Sequence, residues 1–119
     1  MATTIRIGKL TANAEVQQTI HDIVERLAKE YQPSRIVLFG SYAHGHSDHD
    51  SDIDLLIIKD TQDRPIDRRV AASRVISDPK RLIPLELLVL TPHEVEERLK
   101  VNDQFLKEIL EGGKLLYEA

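Results

Sequence analysis

Three short apolar segments limit what this 119-residue chain can fold into more than any other feature. They are Ile36–Phe39, Leu55–Ile58 and Leu87–Leu90, and no apolar run in the chain is longer than four residues. Segments of this length that are rich in branched residues are typical of buried strands, whereas a membrane-spanning helix needs about 20 apolar residues. With their flanking residues, the predicted strands are Arg35–Phe39, Ile53–Ile58 and Ile83–Leu90.

Helical periodicity fills the sequence between these strands. Apolar residues recur at steps of three and four from Ala14 to Tyr31, and Gln32-Pro33 is expected to end that helix. A second helix is predicted over Pro65–Ser77, with its proline near the first turn. Helices that alternate with strands indicate a small α/β sandwich around a central sheet.

Two further helices are predicted in the last third of the chain. Thr91-Pro92-His93-Glu94 has the pattern of a capping box and opens a helix over Glu94–Leu99. Asp103 can cap the following helix, and Gly112-Gly113 closes it.

Length and composition favour one soluble domain. We expect residues 1–119 to form a single domain, with residues 1–12 as a weakly ordered lead-in and Lys114–Tyr117 as an edge strand or a docking tail. The absence of Cys excludes disulfides and thiolate chemistry. A net charge of −4, with only three Tyr and two Phe, argues against stable nucleic-acid binding. Without a signal-peptide pattern, the expected location is the cytoplasm.

Gly40-Ser41 follows directly after a predicted buried strand. Glycine lets a ligand approach the backbone closely, and a helical turn that starts at a serine offers a hydroxyl and free N–H groups to a phosphate. The alternative is an ordinary turn glycine with a capping serine, which is the more common arrangement. On these two residues alone, both interpretations stay open.

Asp52 and Asp54 stand two positions apart at the start of a predicted strand. The strand period of two places both carboxylates on one face, with Ile53 and Leu55 on the other. Adjacent carboxylates repel unless a cation lies between them, and Mg²⁺ takes one or two carboxylates together with substrate phosphates. Two solvated acids at a polar strand entrance are the alternative.

Glu86 interrupts the apolar segment Leu82–Leu90. A charge inside an apolar strand is costly unless it is paired or binds a metal ion. If this strand lies beside Ile53–Ile58, Glu86 can face Asp52 and Asp54. Three carboxylates could then hold two metal ions about 3.5–4 Å apart, as in phosphoryl-transfer sites. The alternative is an edge-strand glutamate that reaches water.

Two familiar loop motifs are approached but not matched in this region. Gly40–Ser47 nearly fits a phosphate-binding loop, but His46 stands where that loop needs Lys. The aspartates of 48–54 resemble the start of a calcium-binding loop. Counted from Asp48, however, position six is Ile53 instead of Gly, and position twelve is Lys59 instead of Glu. Both motifs are therefore rejected.

Two groups of basic side chains are expected mainly to face solvent. Three histidines crowd into one loop without the spacing of a zinc site. Three arginines on the helix from Pro65 could meet phosphate or the acidic surface of a partner, but a solvated helix face is the expected arrangement. The histidines are His44, His46 and His49, and the arginines are Arg64, Arg68 and Arg69.

Taken together, Gly40-Ser41 followed after ten residues by Asp52-x-Asp54 resembles the signature of the polymerase-beta-like nucleotidyltransferase superfamily. More narrowly, residues 38–45, 51–56 and 84–92 are similar to those of minimal nucleotidyltransferases, called MNT proteins. The resemblance covers most of the chain and implies a mixed central sheet flanked by helices. His44 stands where relatives often have Arg, and Glu86 where they often have Asp.

The resemblance also implies a site and a reaction. Gly40 and Ser41 would bind the phosphates of ATP, and Asp52, Asp54 and Glu86 would hold two Mg²⁺ ions as the catalytic acids. MNT proteins are antitoxins that pair with HEPN-domain toxins, usually RNases. The implied reaction is transfer of AMP to a toxin tyrosine, by a chain that could form homo-oligomers or hetero-oligomers.

Two other functions remain open at this point. One is an antitoxin that neutralises its toxin by contact alone, and the complete set of three acids argues against it. The other is a nucleotidyltransferase for small molecules. The short chain argues against this second function, because it leaves no room for a domain that holds such an acceptor.

Overall fold

A five-stranded mixed sheet forms the centre of the computed structural model, which describes residues 4–5, 14–45 and 51–119. The strands are β1 Thr4–Ile5, β2 Arg35–Phe39, β3 Ile53–Ile58, β4 Leu85–Leu90 and β5 Lys114–Glu118. The helices are α1 Ala14–Arg26, which continues as a π-helical segment over Leu27–Tyr31, α2 Ser41–His44, α3 Pro65–Val75, α4 Pro92–Lys100 and α5 Gln104–Gly112. The predicted architecture of a mixed sheet flanked by helices is confirmed.

The strand order is β1-β5-β2-β3-β4, so β3 lies between β2 and β4. Strands β2 and β3 are antiparallel, which their connection through α2 allows. Strands β3 and β4 are parallel, and α3 provides the crossover that a parallel pair requires. The condition that the Glu86 strand lies beside Ile53–Ile58 is therefore met, and Glu86 also reaches solvent because β4 is an edge strand.

The sheet is covered on both faces, and its residues alternate between the two cores. Ile53, Leu55 and Ile57 of β3 pack with α1 and α3, while Leu56 and Ile58 pack with α5. The central strands are consequently apolar on both sides, which is why they appear in the sequence as unbroken apolar runs. Within the described residues, no helix combines the length and apolarity that crossing a membrane requires.

The helix ends follow the signals in the sequence. The hydroxyl of Thr91 accepts a hydrogen bond from the Glu94 N–H, and the Glu94 carboxylate accepts one from the Thr91 N–H. This confirms the capping box, although the helix extends over Pro92–Lys100. Asp103 accepts a hydrogen bond from the Leu106 N–H and caps α5 as predicted.

The two ends of the chain differ from expectation. Lys114–Tyr117 was expected as an edge strand or a docking tail, but β5 lies inside the sheet and pairs with both β1 and β2. Its apolar residues Leu116 and Tyr117 are buried there, as expected of an interior strand. Within the expected lead-in of residues 1–12, Thr4–Ile5 forms strand β1, and the other residues lie outside the described ones.

Arg68 was expected on a solvated helix face, and this prediction is wrong. Its side chain is only 8% exposed. It forms a bidentate ion pair with the Glu94 carboxylate, with N–O distances of 2.6 and 3.2 Å. Its Nε donates to the Asp63 carbonyl at 2.8 Å. The hydrogen bond from Arg68 holds the pKa of the Glu94 carboxyl below its usual range. Since Glu94 also caps α4, this pair fastens α3 to the start of α4.

Arg68→Ala is expected to lower the free energy of unfolding by about 2–4 kcal/mol, because it leaves a partly buried Glu94 carboxylate without its partner. Arg64→Ala is the matched control: Arg64 pairs with Asp67, but its side chain is 78% exposed. That control should cost less than about 1 kcal/mol. Urea unfolding at neutral pH measures both losses, and equal losses would contradict a special role for Arg68.

Candidate active site

Gly40 ends β2 in a conformation that only glycine adopts readily, with φ of 74° and ψ of −154°. Space demands glycine as well. A Cβ at this position would overlap Asp54 Oδ2 and lie 3.1 Å from Asp54 Cγ. The missing side chain thus lets the Asp54 carboxylate lie directly against the turn that follows β2.

Ser41 is the first residue of the four-residue helix α2, and the N-cap position belongs to Gly40. The capping role that was considered for Ser41 therefore does not apply. The N–H groups of Ala43 and His44 both donate to the Gly40 carbonyl, at 3.1 and 3.3 Å. Within the part of the chain that the structure describes, the Ser41 hydroxyl makes no hydrogen bond, and it is half-buried. That hydroxyl is the group this turn can offer to a phosphate.

Asp54 and Glu86 are direct neighbours across the parallel pair of β3 and β4. On its other side, Asp54 is paired with Phe39, which precedes Gly40. Asp52 lies just before β3 and is exposed, while Asp54 is half-buried and Glu86 exposed. The structure therefore brings the three acids to one end of the sheet, beside the Gly40 turn.

The electrostatics of this cluster disfavour a full set of negative charges. Partial burial raises the pKa of the Asp54 carboxyl, and the charges of Asp52 and Glu86 raise this pKa further. A carboxylate with two acidic neighbours is stabilised by any cation that joins them.

Arg69 supplies one such cation, although a solvated helix face was the arrangement expected for it. Its Nη2 lies 3.5 Å from Glu86 Oε2, and both side chains are 56% exposed. Helix α3 packs against the edge strand β4, so Arg69 reaches Glu86 from its side. Arg69 and Glu86 are seventeen positions apart in the sequence, so only the packing of α3 against β4 brings them together.

The acids fit a divalent cation in chemistry, since hard cations prefer carboxylate oxygens. The carboxylate oxygens of Asp52, Asp54 and Glu86 do not all lie within 4.8 Å of one another, as the ligands of one bound ion would. In the described ranges, the one set of three candidate ligands with atoms all within 4.8 Å of one another is His21, Asp22 and Glu25. This second set lies on α1, where His21 and Glu25 already pair at 3.6 Å.

His44 lies at the end of α2 and packs toward the C-terminus of α5. A Cβ at Gly112 would be 3.3 Å from His44 Cε1. The ring borders a shallow cavity of about 430 Å³ that Glu108 and Glu111 also line. His46 and His49, the other histidines of the rejected zinc site, lie outside the described residues.

A larger cavity lies away from the acids. It measures about 660 Å³ and is formed by α1 and the segment 78–83 that leads into β4. Five acidic and four basic side chains line it, so it has no single charge preference. The region around Gly40 and Asp54 is the better candidate for the active site, although the larger cavity lies elsewhere. It combines a backbone conformation that requires glycine, a carboxyl with a raised pKa and two neighbouring acids.

Comparison with known proteins agrees with this geometry. Residues 21–119 match the family model described as polymerase beta, nucleotidyltransferase. The chain belongs to the polymerase beta nucleotidyltransferase family and is a nucleotidyltransferase. Enzymes of this class generally use a nucleoside triphosphate and a divalent metal ion.

Two known proteins are similar to most of the chain. It is 33% identical over 106 residues to a Methanocaldococcus jannaschii protein named "putative protein adenylyltransferase", covering 85% of this chain and 97% of the relative. A solved structure of a "putative nucleotidyltransferase" from Sulfolobus solfataricus aligns with a TM-score of 0.56 and 22% identity. That alignment covers 91% of this chain and 88% of the other. The second likeness shows that the fold is shared.

Gly40→Ala is expected to lower the free energy of unfolding by at least about 1–3 kcal/mol, the cost of a strained backbone conformation, with an added cost from contact with Asp54. In an Asp54→Ala background the contact is gone, so the same substitution should cost less. A double-mutant cycle measured by urea unfolding gives this difference. Purely additive losses would show that the carboxylate does not lie against the turn.

Asp54→Asn is expected to make the metal-free protein more stable at neutral pH. Because the pKa of Asp54 is raised in the folded chain, its contribution to stability is lost as the pH rises through that pKa. The gain from the substitution should therefore shrink as the pH falls toward about 4, the ordinary pKa of an aspartate, and should be absent below it. Urea unfolding with a chelator at several pH values tests this, with Asp60→Asn at the other end of β3 as the control. A gain that is independent of pH would contradict the raised pKa of Asp54 in the folded chain.

Proposed function

We propose that this chain transfers AMP from ATP to a hydroxyl of another protein. The acceptor we infer is a tyrosine of a HEPN-domain toxin, which the modification would silence, so that the chain acts as an antitoxin. The observation that carries the proposal is the contact between the Gly40 turn and the Asp54 carboxylate, with Glu86 as the neighbour of Asp54. This arrangement supports the proposal because the turn that would bind phosphate lies directly beside a cluster of acids.

Sequence similarity supports the protein acceptor. The Methanocaldococcus jannaschii relative bears a protein adenylyltransferase name, and the alignment spans nearly its whole length. The toxin, its tyrosine and the antitoxin role come from the resemblance to MNT proteins.

Each site residue has a proposed task. Ser41 donates its hydroxyl to the phosphates of ATP, and Gly40 leaves room for them to approach the backbone. Asp52, Asp54 and Glu86 hold two Mg²⁺ ions. When bound, these ions would neutralise the developing charge on the acceptor and leaving oxygens. The raised pKa of Asp54 supports this task, because a nearby cation would favour its ionised form.

The reaction exchanges a phosphoanhydride bond of ATP for a phosphodiester bond to the acceptor. The acceptor hydroxyl oxygen attacks the α-phosphorus of ATP, and the bond from that phosphorus to the bridging oxygen of the β-phosphate breaks. Pyrophosphate leaves with the electron pair of this bond. Glu86 accepts the hydroxyl proton, a task that suits its exposed position, since the acceptor arrives from solution.

We expect the purified chain to label a HEPN-domain protein from the same genome when ATP and Mg²⁺ are present. Label from the α-phosphate should stay on the acceptor, and label from the γ-phosphate should not. Intact-mass measurement should show whole adenylate units. Asp54→Asn should lower the labelling at least about a hundredfold, the scale of losing one group that stabilises transition-state charge.

Two controls sharpen this experiment. Asp60→Asn removes an exposed acid at the opposite end of β3 and should label normally. Calorimetry with Mg²⁺ and a non-hydrolysable ATP analogue should show binding to the wild type. An unmodified acceptor whose toxicity is nevertheless suppressed would refute the enzymatic proposal and leave inhibition by contact.

A further inference from the structure

We propose that the outer face of α3 is the surface on which the acceptor protein docks, and that the docked partner offers acidic and apolar side chains. We call this surface the α3 face. It consists of Ile66, Arg69, Val70, Ser73, Arg74 and Ser77, which line one shallow groove of about 380 Å³. The inference rests on the proposed function, because it names where that function's acceptor binds.

Helix α3 exposes apolar side chains that a solvated helix would not need. Ile66 is 59% exposed and Val70 is 40% exposed. They stand four residues apart and so lie one above the other on the same side of the helix. The opposite side already carries Ala72 into the core, so the two apolar residues are additional to those that fold the domain.

The charges of the α3 face define the partner. Arg69 and Arg74 flank the two apolar residues, and the groove contains no acidic side chain. Among the described residues, Arg74 makes no ion pair, whereas Arg64 and Arg68 are paired with Asp67 and Glu94. On a chain with a net charge of −4, this is a local positive surface around an apolar strip. It complements a helix or loop that carries acidic residues beside apolar ones.

The α3 face is continuous with the candidate active site. Arg69 lines the groove and also lies 3.5 Å from Glu86, so its side chain joins the groove to the acids. Helix α3 has eleven residues and is about 16 Å long, which is too short for a standard interface by itself. A partner that covers α3 therefore extends over neighbouring surface, and the acids are the surface next to Arg69.

Two exposed apolar residues at the end of α4 do not share these properties. Leu99 of α4 is 41% exposed, nearly the same as Val70, and Val101 is 77% exposed in the turn after α4. Neither residue lines the groove that reaches the acids. Leu99 is therefore a matched control for Val70, because it is a helical residue of equal exposure.

The experiment measures the affinity of the full chain for the HEPN-domain protein by calorimetry, without ATP. Val70→Asp adds a negative charge to the apolar strip, and Arg74→Glu reverses a charge of the α3 face. Each should weaken binding at least about tenfold, as expected for substitutions at the centre of an interface. Leu99→Asp should leave the affinity within about twofold. Normal binding of Mg²⁺ and the ATP analogue shows that each variant is folded.

Several results would overturn the docking surface. These are equal affinity of all variants, absence of binding by the wild type, or a wild-type dimer in sedimentation that Val70→Asp dissociates. The last result would assign the face to a second copy of the chain. Labelling separates this inference from the proposed function. Transfer that persists in Val70→Asp refutes the docking surface alone, whereas binding through α3 without any transfer refutes the enzyme alone.

Discussion

Strand β3 pairs with β2 and with β4 in registers that set Asp54 opposite Phe39 on one side and opposite Glu86 on the other. The same registers bury Ile53, Leu55 and Ile57 under α1 and α3. A shift of one residue would exchange the two faces of β3 and bring Asp54 into that core. The free energy that fixes the core therefore also fixes the position of the acids, although the raised pKa of Asp54 shows that its negative charge opposes folding.

Two neighbouring arginines on α3 perform different tasks because they point to different surroundings. Arg68 is buried, and its ion pair with Glu94, the residue that caps α4, joins the two helices. Its charge is therefore already neutralised within the fold. Arg69 is the next residue, one position further round the helix, and it lies over the edge of β4 at Glu86. An exposed pair of this kind is worth little to stability. The Arg69 charge therefore remains available when other charges enter the site.

Much of the fold could be predicted because its signals are local. The apolar runs of β2 and β3, the capping box at Thr91 and the cap at Asp103 each depend on residues close in sequence. The position of β5 inside the sheet could not be predicted, because it depends on which edge of β2 remains free after β3 has paired. The burial of Arg68 was missed for the same reason, since Glu94 is distant in sequence and only the parallel crossover brings it near.

The candidate site could be predicted as a set of residues, but not as an arrangement. The spacing of Asp52 and Asp54 indicated a shared face, and Glu86 was conspicuous as a charge in an apolar strand. The overlap that a Cβ at Gly40 would make with Asp54, and the reach of Arg69 to Glu86, depend on distances that no spacing contains. Gly40 carries a positive φ and Asp54 a raised pKa, and Glu86 adds a second negative charge beside Asp54. A divalent cation would balance the charges of the acids, and a nucleotide would use the space that Gly40 leaves. Binding both would explain why a small, otherwise regular domain tolerates these features together at one end of its sheet.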